Sequence, residues 1–264
     1  MISVNDLSIN CQKIESLITK FIHSCVKNAG LDGGVVSVSG GIDSAVTLAL
    51  MVKALGPEKV TAVTLPERDI TPQCDITDVM QHCSQLGLTC DTVDITRMLH
   101  GITENLPKFN IENKIIAGNI KSRLRMVIGY YYANLYGRMI IGTSNKTELL
   151  TGFFTKYGDG GVDIMPLGDL YKTQVRQLGE YLDVPENILK KPPSPGFFPG
   201  QTDEDELGVD YTSIDLILYQ WEKGYTAKEI SNVQDIDLEK VQSILSRIKK
   251  NEHKRRLPLL LRLS

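Results

Sequence analysis

The chain has 264 residues, a length that one α/β domain can occupy with a sizeable hydrophobic core. Hydrophobic residues make up 42% of the chain and charged residues 23%, a composition that excludes a disordered or fibrous protein. Lys and Arg number 29 against 32 Asp and Glu, so the formal net charge is −3. Because proteins that bind nucleic-acid backbones are normally basic, we expect no nucleic-acid partner.

The cysteines and the apolar runs bear on the cellular compartment. Five cysteines, an odd number without a C-x-x-C pair, argue against a disulfide scaffold and a zinc knuckle. We expect buried free thiols, including those of Cys74 and Cys83. The start of the chain lacks the pattern of a secretory signal, and no stretch approaches the ~18 consecutive apolar residues of a membrane span. These features predict a cytoplasmic protein that does not enter a membrane.

Helical and strand patterns alternate along the first part of the chain. Apolar residues at helical spacing predict a helix over 8–29. A β-branched run at 35–38 predicts a strand that leads through glycines into a helix over 42–55. The elements expected next are a strand at 60–65, a helix that opens at Thr71-Pro72 and ends near Gly87, a strand at 88–95, a helix near 112–136 and a strand at 138–143.

This alternation predicts an α/β fold, with a doubly wound, mostly parallel sheet and helices on both of its faces. Two or three small helices within 211–256 would form a C-terminal helical segment. The stretch 190–208 is rich in Pro, Gly and acidic residues, and we expect a mobile binding loop or lid there. We expect one domain over 1–264. Ligands of such sheets bind at the carboxyl ends of strands, so the motifs that follow strands are the candidate site.

The stretch SVSGGIDSAV, from Ser37 to Val46, places a glycine turn between a strand and a helix. Gly40 and Gly41 allow a sharp turn whose N–H groups face a ligand at the positive end of the helix. The Walker lysine is absent, and the Asp43 carboxylate alone would repel phosphate. A Mg²⁺ ion between that carboxylate and phosphate oxygens would explain it. The alternative is an ordinary helix start at which Asp43 favours the helix dipole.

The run SGGIDS within this turn resembles the signature loop of the ATP pyrophosphatases. Enzymes of this class cleave ATP between its α- and β-phosphates, transfer AMP to an acceptor oxygen and release pyrophosphate. Families with different substrates share the loop, so the resemblance implies the chemistry and leaves the substrate open.

Four further segments, within 118–126, 142–175, 192–208 and 252–258, resemble the ammonia-dependent NAD synthetase family, and the resemblance covers nearly the whole chain. It implies that ATP adenylates the nicotinate carboxylate of deamido-NAD and that ammonia then displaces AMP to give NAD. It also implies Mg²⁺ as cofactor, ATP as co-substrate and a homodimer in which the dinucleotide lies across the subunit interface.

The resemblance assigns one group of residues to ATP and the metal. Glu148 follows Asn145 by three residues, which also fits a capping box, and the resemblance makes Glu148 the second magnesium carboxylate beside Asp43. We expect Asp169 to cap a helix with Lys172 in its first turn, where a cation is disfavoured by ~0.3–1 kcal/mol unless it faces an anion. A surface lysine is the alternative.

The resemblance implies Lys172 and Asp43 as catalytic residues. The ATP-binding set that it implies is Ser37, Val38, Ser39, Gly40, Gly41, Ile42, Asp43, Ser44, Thr143, Lys172 and Ser194.

The resemblance assigns Arg123 to deamido-NAD. Arg123 shares a helix face with Asn119, four residues earlier, whereas Lys121 and Arg125 point elsewhere. A solvated basic helix face is the alternative interpretation of this run.

Four more residues are assigned to deamido-NAD by the resemblance. Lys156 and Asp163 flank a glycine-rich run, for which a polar surface loop is the competing interpretation, and the role of Asp159 is left open. His253 and Lys254 match a dinucleotide-binding pair, in a run that otherwise fits a solvated helix end.

The sequence also bears on the nitrogen source and on two alternative functions. No glutaminase segment precedes the glycine turn, so we expect ammonia-dependent turnover, with a separate glutaminase subunit left open. A tRNA-modifying ligase with the same loop is disfavoured by the acidic balance and the lack of paired cysteines. A non-catalytic nucleotide sensor is disfavoured because binding alone would not require Asp43, Glu148 and Lys172 together.

Overall fold

The computed structural model describes residues 2–194, 196–198 and 207–263. Its centre is a parallel sheet of four strands in the order β3-β2-β1-β4. The strands are β1 (Gly34–Ser37), β2 (Val60–Thr64), β3 (Cys90–Thr92) and β4 (Met139–Ile140). The predicted α/β class with a parallel sheet is confirmed.

Helices connect the strands and continue beyond them. In chain order they are α1 (Cys11–Asn28), α2 (Ile42–Leu55), α3 (Gln73–Gln85), α4 (Thr96–Thr103), α5 (Lys114–Tyr136), α6 (Lys146–Thr151), α7 (Lys172–Tyr181), α8 (Glu186–Leu189), α9 (Tyr211–Glu222), α10 (Ala227–Gln234) and α11 (Leu238–Lys250). Short 3-10 helices lie at Val4–Leu7, Pro57–Lys59 and Glu252–Arg255.

The sheet separates two hydrophobic cores because successive strand side chains point to opposite faces. Val36 of β1 packs into the core formed with α1, α2, α3 and α7, whereas its neighbour Val35 packs into the core formed with α4 and α5. Both valines are fully buried. Helices therefore cover both faces, as the run of valines in this strand indicates.

The last helices form a third core of their own. Ile214 and Ile217 of α9 pack with Ile230 of α10 and Ile244 of α11, and Tyr171, directly before α7, joins them. This confirms a small helical segment within 211–256. The segment is attached to the sheet domain at the beginning of α7, which matters for the site described below.

The outer strands are shorter than the sequence predicts. The expected strand at 138–143 is reduced to the two residues of β4, and Ile141 makes an isolated bridge to Ile164. The carboxylate of Asp163 accepts the Ile140 N–H at 2.8 Å. A side-chain oxygen thus takes one backbone donor on the outer side of β4, next to the single bridge between Ile141 and Ile164. The strand expected at 88–95 is likewise limited to Cys90–Thr92.

Two local expectations are wrong. The helix predicted to open at Thr71 begins at Gln73, with Pro72 as its cap residue, because the Thr71 hydroxyl instead accepts the Glu67 N–H at 3.0 Å. Cys74 is exposed, since it lies on the first turn of α3, whereas Cys83 is buried as expected.

Part of the loop expected at 190–208 lies outside the described residues, namely 195 and 199–206. Within the described ranges, the helices are too short or too polar to cross a membrane.

Candidate active site

The glycine turn joins the carboxyl end of β1 to the first turn of α2. Gly40 has φ of +83°, and a Cβ there would lie 2.9 Å from the Asp75 carbonyl oxygen, so only glycine fits. Gly41 is the cap residue of α2. Ser44 donates its hydroxyl to the Gly41 carbonyl at 2.9 Å and lies 3.3 Å from the Ser39 hydroxyl. The turn is therefore a braced loop at the positive end of a helix, the geometry that binds anions.

This turn lies where the strand order reverses. β1 is flanked by β2, which follows it in the chain, and by β4, which comes last. The connections from β1 and from β4 therefore leave in different directions and form a crevice at their carboxyl ends, the usual ligand site of such sheets. The glycine turn follows β1, and the segment from Thr143 to Glu148 follows β4, so both sides of the crevice carry predicted site residues.

Lys172 meets two carboxylates in this crevice. Its ammonium Nζ contacts Asp43 Oδ2 in a short ion pair and lies 3.4 Å from Glu148 Oε1. The residue is only 3% exposed, so the alternative of a surface lysine is wrong. The Tyr211 ring centroid lies 5.0 Å from Nζ. A buried cation held between two carboxylates by residues from α2, α6 and α7 is the central feature of the site.

The two carboxyl oxygens of Glu148 divide two tasks between them. Oε2 accepts the Asn145 N–H at 3.2 Å, and the Asn145 side chain accepts the Glu148 N–H at 3.0 Å, which completes a capping box. Oε1 faces Lys172. Asn145 also donates its amide to Asp43 Oδ1 at 2.8 Å. The capping box and a position beside Asp43 are therefore compatible in one side-chain conformation.

The beginning of α7 is fixed by side chains from elsewhere in the chain. The Lys172 N–H donates to the Thr147 hydroxyl at 3.0 Å, and the Thr173 N–H donates to Asp215 Oδ2 at 2.8 Å. The Thr147 hydroxyl in turn donates to Asp215 Oδ1. Asp215 belongs to α9, so the helical segment sets the position of the helix that carries Lys172.

Asp169 is not the cap that the sequence predicts. The cap residue is Tyr171, whose N–H donates to Gln174 Oε1 at 3.0 Å. Asp169 lies three residues before Lys172, too early to reach the first turn, and pairs with Lys146 Nζ at 3.1 Å.

The buried carboxyl of Asp215 should make the stability of the folded protein depend on pH in a distinctive way. Burial raises the pKa of this carboxyl to about 6 from 3.8, although the Thr147 and Thr173 hydrogen bonds lower it. The folded state then holds a proton that the unfolded state has lost, so the contribution is complete below about pH 4 and is lost as the pH rises through about 6. We expect the unfolding free energy of the wild type, relative to Asp215→Asn, to fall by on the order of 3 kcal/mol over that range in urea titrations.

Asp210, the cap residue of the same helix, provides the control for this experiment. Hydrogen bonds from Ser213 lower the pKa of Asp210 despite the opposing effect of its burial. Relative to Asp210→Asn, wild-type stability should therefore rise with pH across the acid range. A difference profile for Asp215→Asn that is flat between pH 4 and 6 would contradict the assignment.

A second group of predicted residues is linked through backbone carbonyls. Arg123 donates from Nη2 to the Lys156 carbonyl at 3.2 Å, and Lys156 Nζ donates to the His253 carbonyl at 2.6 Å. Lys254 Nζ donates to the Gly152 carbonyl at 2.7 Å. Arg123, Lys156, His253 and Lys254 are thus brought together around the segment that follows α6. These contacts join α5 and the C-terminal 3-10 helix to one loop.

Neighbouring residues of α5 lie as their spacing indicates. Asn119, on the same face as Arg123, accepts the Thr155 hydroxyl at 2.8 Å. Lys121 is buried and pairs with Glu67 Oε2 at 2.7 Å, and Arg125 donates to the Leu65 carbonyl at 3.1 Å.

Three predicted residues stand apart from both groups. Asp163 lies at the edge of β4, where Oδ2 accepts the Ile140 N–H and Oδ1 accepts the Tyr130 hydroxyl at 3.1 Å. Thr143 lies between β4 and α6, beside the crevice. Ser194 is exposed and accepts the Gly196 N–H at 3.2 Å. The loop residue Asp159, left open by the sequence, accepts the Ser122 hydroxyl at 2.7 Å.

Sequence reasoning missed Asp215 and Lys191. Lys191 contacts Asp75, Asp78 and the Gly40 carbonyl. The only local signal for Lys191 is a pair of lysines at 190 and 191, in which neither member is distinguished. Asp215 lies within an apolar helix, and a buried acid in such a helix is a signal that could have been used.

Comparison with known proteins adds a family match and full-length relatives. The family model described as NAD synthase matches residues 14–258. The NH3-dependent NAD+ synthetase of Methanocaldococcus jannaschii is 45% identical over 249 residues, 94% of this chain and 95% of that protein. The protein of the same name from Methanococcoides burtonii is 44% identical over 244 residues, 92% of each chain.

Solved structures agree over the same length. An NMN synthetase from Francisella tularensis superposes with a TM-score of 0.85 at 36% identity and covers 96% of this chain and 99% of that one. The NH3-dependent NAD synthetase of Campylobacter jejuni, in complex with a nitrate ion, superposes with a TM-score of 0.80 at 30% identity and covers 97% and 100%.

Proposed function

The chain belongs to the NAD synthase family, and from that membership we propose how its residues carry out the ATP-dependent amidation of deamido-NAD to NAD. The reaction forms a carbon–nitrogen bond in the last step of NAD biosynthesis, so the chain is a ligase. The observation that carries the residue assignment is the buried Lys172 ammonium between Asp43 and Glu148, beside the glycine turn. An anion-binding turn next to two carboxylates and a cation suits a triphosphate with a divalent ion.

Asp43 and Glu148 fit Mg²⁺ by the chemistry of their donors. Magnesium binds oxygen ligands and commonly uses one or two carboxylates together with substrate phosphates. The space between these two carboxylates already holds a positive charge, that of Lys172. Among the described residues, no group of three or more His, Cys, Asp and Glu side chains could hold a metal, so phosphate and water would supply the remaining ligands. When bound, Mg²⁺ would offset the charge of the triphosphate.

The chain's own groups would hold ATP in line with the acceptor. Backbone N–H groups of the glycine turn and the Ser39 and Ser44 hydroxyls would bind the pyrophosphate end. Lys172 would exchange its contact with Asp43 for the phosphate that gains negative charge during adenylyl transfer. Thr143 and Ser194 would add contacts to ATP. The nicotinate carboxylate would attack the α-phosphate, pyrophosphate would leave, and ammonia would then displace AMP, with no covalent enzyme intermediate.

The second group would bind deamido-NAD. Arg123, Lys156 and Lys254 place three cationic side chains around one loop, and each donates to a backbone carbonyl that a phosphate or ribose oxygen could replace. His253 belongs to the same arrangement. The two carboxylate oxygens of Asp163 already accept hydrogen bonds from Tyr130 and Ile140. Asp163 would therefore either accept a further hydrogen bond from the dinucleotide or hold the edge of β4 in position beside it.

A homodimer is supported by the exposed face of α5. Val127, Tyr131 and Leu135 follow one another at four-residue spacing and are 58%, 60% and 54% exposed. Apolar residues at this spacing form one stripe along a helix, and an exposed stripe marks an interaction surface. Arg123 lies one turn before Val127 on the same face, so pairing of two α5 helices would bring this deamido-NAD residue to the subunit interface.

A charge in the middle of this stripe should separate the subunits. We expect the wild type to sediment as a dimer at micromolar concentration and Val127→Glu to sediment as a monomer, because the pair would bury an unpaired carboxylate. The Km for deamido-NAD should rise with dissociation. Leu17→Glu, at an equally exposed apolar position on α1, is the control and should remain dimeric. A monomeric wild type would contradict the proposal.

We propose that the enzyme uses free ammonia and works in a reducing cytoplasm. All five cysteines are free thiols, as expected in a reducing compartment. Turnover should require ammonium, and glutamine as sole nitrogen donor should not replace it. Equal rates with pure glutamine would remove this part of the proposal.

The decisive assay mixes the protein with ATP, Mg²⁺, deamido-NAD and ammonium. We expect NAD, AMP and pyrophosphate in equal amounts. Detection of ADP and phosphate would reject cleavage between the α- and β-phosphates. Absence of NAD with every substrate present would reject the function.

A mononucleotide substrate is the second candidate, because the Francisella protein with the 0.85 TM-score is an NMN synthetase. The equivalent amidation would start from nicotinic acid mononucleotide. Competition between the two substrates decides the case. We expect a larger kcat/Km for deamido-NAD, since the mononucleotide lacks the adenylate half that the second group of cations would hold.

A further inference from the structure

Lys191 lies at the start of the loop after α8 and contacts the glycine turn. It follows α8 by two positions, and its Nζ donates to the Gly40 carbonyl at 3.2 Å. The same Nζ lies 2.7 Å from Asp75 Oδ1 and 2.6 Å from Asp78 Oδ2, both on α3. One ammonium therefore joins three separate parts of the chain: the turn after β1, the beginning of α3 and the loop after α8.

Close packing holds the Asp75 and Asp78 side chains in place beside Gly40. Asp75 packs so closely on Gly40 that a Cβ on the glycine would lie 3.1 Å from the Asp75 Cβ and 2.9 Å from its carbonyl oxygen. Asp78 is 7% exposed, and its other oxygen accepts the Asn187 side-chain amide of α8. The carboxylates are thus fixed against the turn, and Lys191 is the cation that faces both of them.

The charges make this arrangement relevant to ATP. Two carboxylates next to an anion-binding turn would repel a phosphate, and one ammonium offsets half of their charge. Burial lowers the pKa of Lys191, but hydrogen bonds to Asp75 and Asp78 outweigh it, and the net direction is a raised pKa. Lys191 therefore stays protonated at neutral pH.

We propose that Lys191 is a positioning residue for ATP, which holds the Gly40 carbonyl in place and offsets Asp75 and Asp78 beside the bound triphosphate. This inference rests on the proposed role of the turn in ATP binding. Lys191 acts through the turn, so its loss should affect ATP much more than deamido-NAD.

The test compares neighbouring lysines. Lys191→Met should weaken Mg²⁺-ATP binding by roughly tenfold, the loss typical of a hydrogen bond to a charged group, with an unchanged Km for deamido-NAD. Lys190→Met is the matched control, because Lys190 is 75% exposed and, among the described residues, pairs with Glu186 on the surface. It should bind ATP like the wild type. Lys191→Arg, which keeps the charge, should retain most of the affinity.

A second variant separates charge from structural support. In Lys191→Met/Asp75→Asn, one negative charge beside the turn is removed, and ATP affinity should recover by several-fold relative to Lys191→Met. Asp75→Asn alone should bind ATP at least as tightly as the wild type, which gives a readout even where Lys191→Met does not fold. Equal losses for both substrates that follow the melting temperature, with no recovery in the double variant, would overturn the proposal in favour of a structural strut.

The readout also keeps this inference distinct from the proposed function. ATP binding is measured by titration calorimetry without deamido-NAD or ammonium, so it is observed whether or not NAD is formed. Wild-type protein that binds ATP but makes no NAD would reject the function alone. Wild-type affinity for ATP in a folded Lys191→Met variant would reject the role of Lys191 alone.

Discussion

Replacement of Lys172 by methionine is expected to lower kcat about 100- to 1,000-fold, the range measured when one group that stabilises transition-state charge is removed. Methionine keeps most of the length and packing of the side chain but carries no charge. The Km for deamido-NAD should change little, because the dinucleotide residues lie around a different loop. Steady-state rates of AMP release measure the effect, and a kcat near that of the wild type would contradict the catalytic assignment.

The same variant has a second signature in stability. Without the ammonium, the Asp43 and Glu148 carboxylates lose the cation that faces both of them, which should cost on the order of 3–5 kcal/mol in the absence of divalent cations. Addition of Mg²⁺ should restore part of that loss, since the ion would take up the charge that the lysine supplied. Lys53→Met, which removes a lysine from a surface pair with Glu15, should change neither quantity.

The second large effect is expected for Asp43→Asn. The magnesium concentration for half-maximal activity should rise at least about tenfold, a loss that even outer-shell partners of a metal produce. An asparagine in this position can accept from either Asn145 or Lys172 but presents an amide N–H₂ toward the other, so the cluster would also lose its geometry. kcat at saturating Mg²⁺ should remain well below that of the wild type.

Binding without turnover provides the control measurement for this variant. Titration of Mn²⁺ in the presence of ATP, followed by electron paramagnetic resonance, should show the same weakening for Asp43→Asn. Asp169→Asn removes a carboxylate that is 97% exposed and pairs with Lys146, and its metal affinity should match that of the wild type. Unchanged Mn²⁺ affinity in Asp43→Asn would remove the metal role of this carboxylate.

The glycine turn could be predicted because its determinants are local. A β-branched strand, two glycines and a helix with an acid in its first turn follow one another within ten residues, and each has a direct steric or electrostatic reason. The positive φ of Gly40 and the braced serines of the turn agree with that prediction. The alternation of strands and helices likewise fixes a parallel sheet, since parallel neighbours require a crossover.

The partners of Lys172 and Lys191 could not be predicted from spacing, because they are distant in sequence. Lys172 lies 129 residues from Asp43, and Lys191 lies 151 residues from Gly40. Helical periodicity shows which face of a helix is apolar but not which loop reaches a lysine at its end. The predicted cap of α7 at Asp169 is wrong for a related reason: a hydroxyl oxygen from α6 and a carboxylate oxygen from α9 accept its first N–H groups, so a cap at Asp169 is unnecessary.

The short outer strands have a consequence for assembly. β3 has three residues and β4 has two, and the Asp163 carboxylate occupies a donor on the outer side of β4. A long exposed edge strand would offer a template on which another molecule could extend the sheet, which is a route to fibrous aggregates. The edge strands β3 and β4 are too short to act as such a template. Self-association through the proposed α5 stripe would instead use side chains on a helical surface, where a closed pair would leave no edge for further growth.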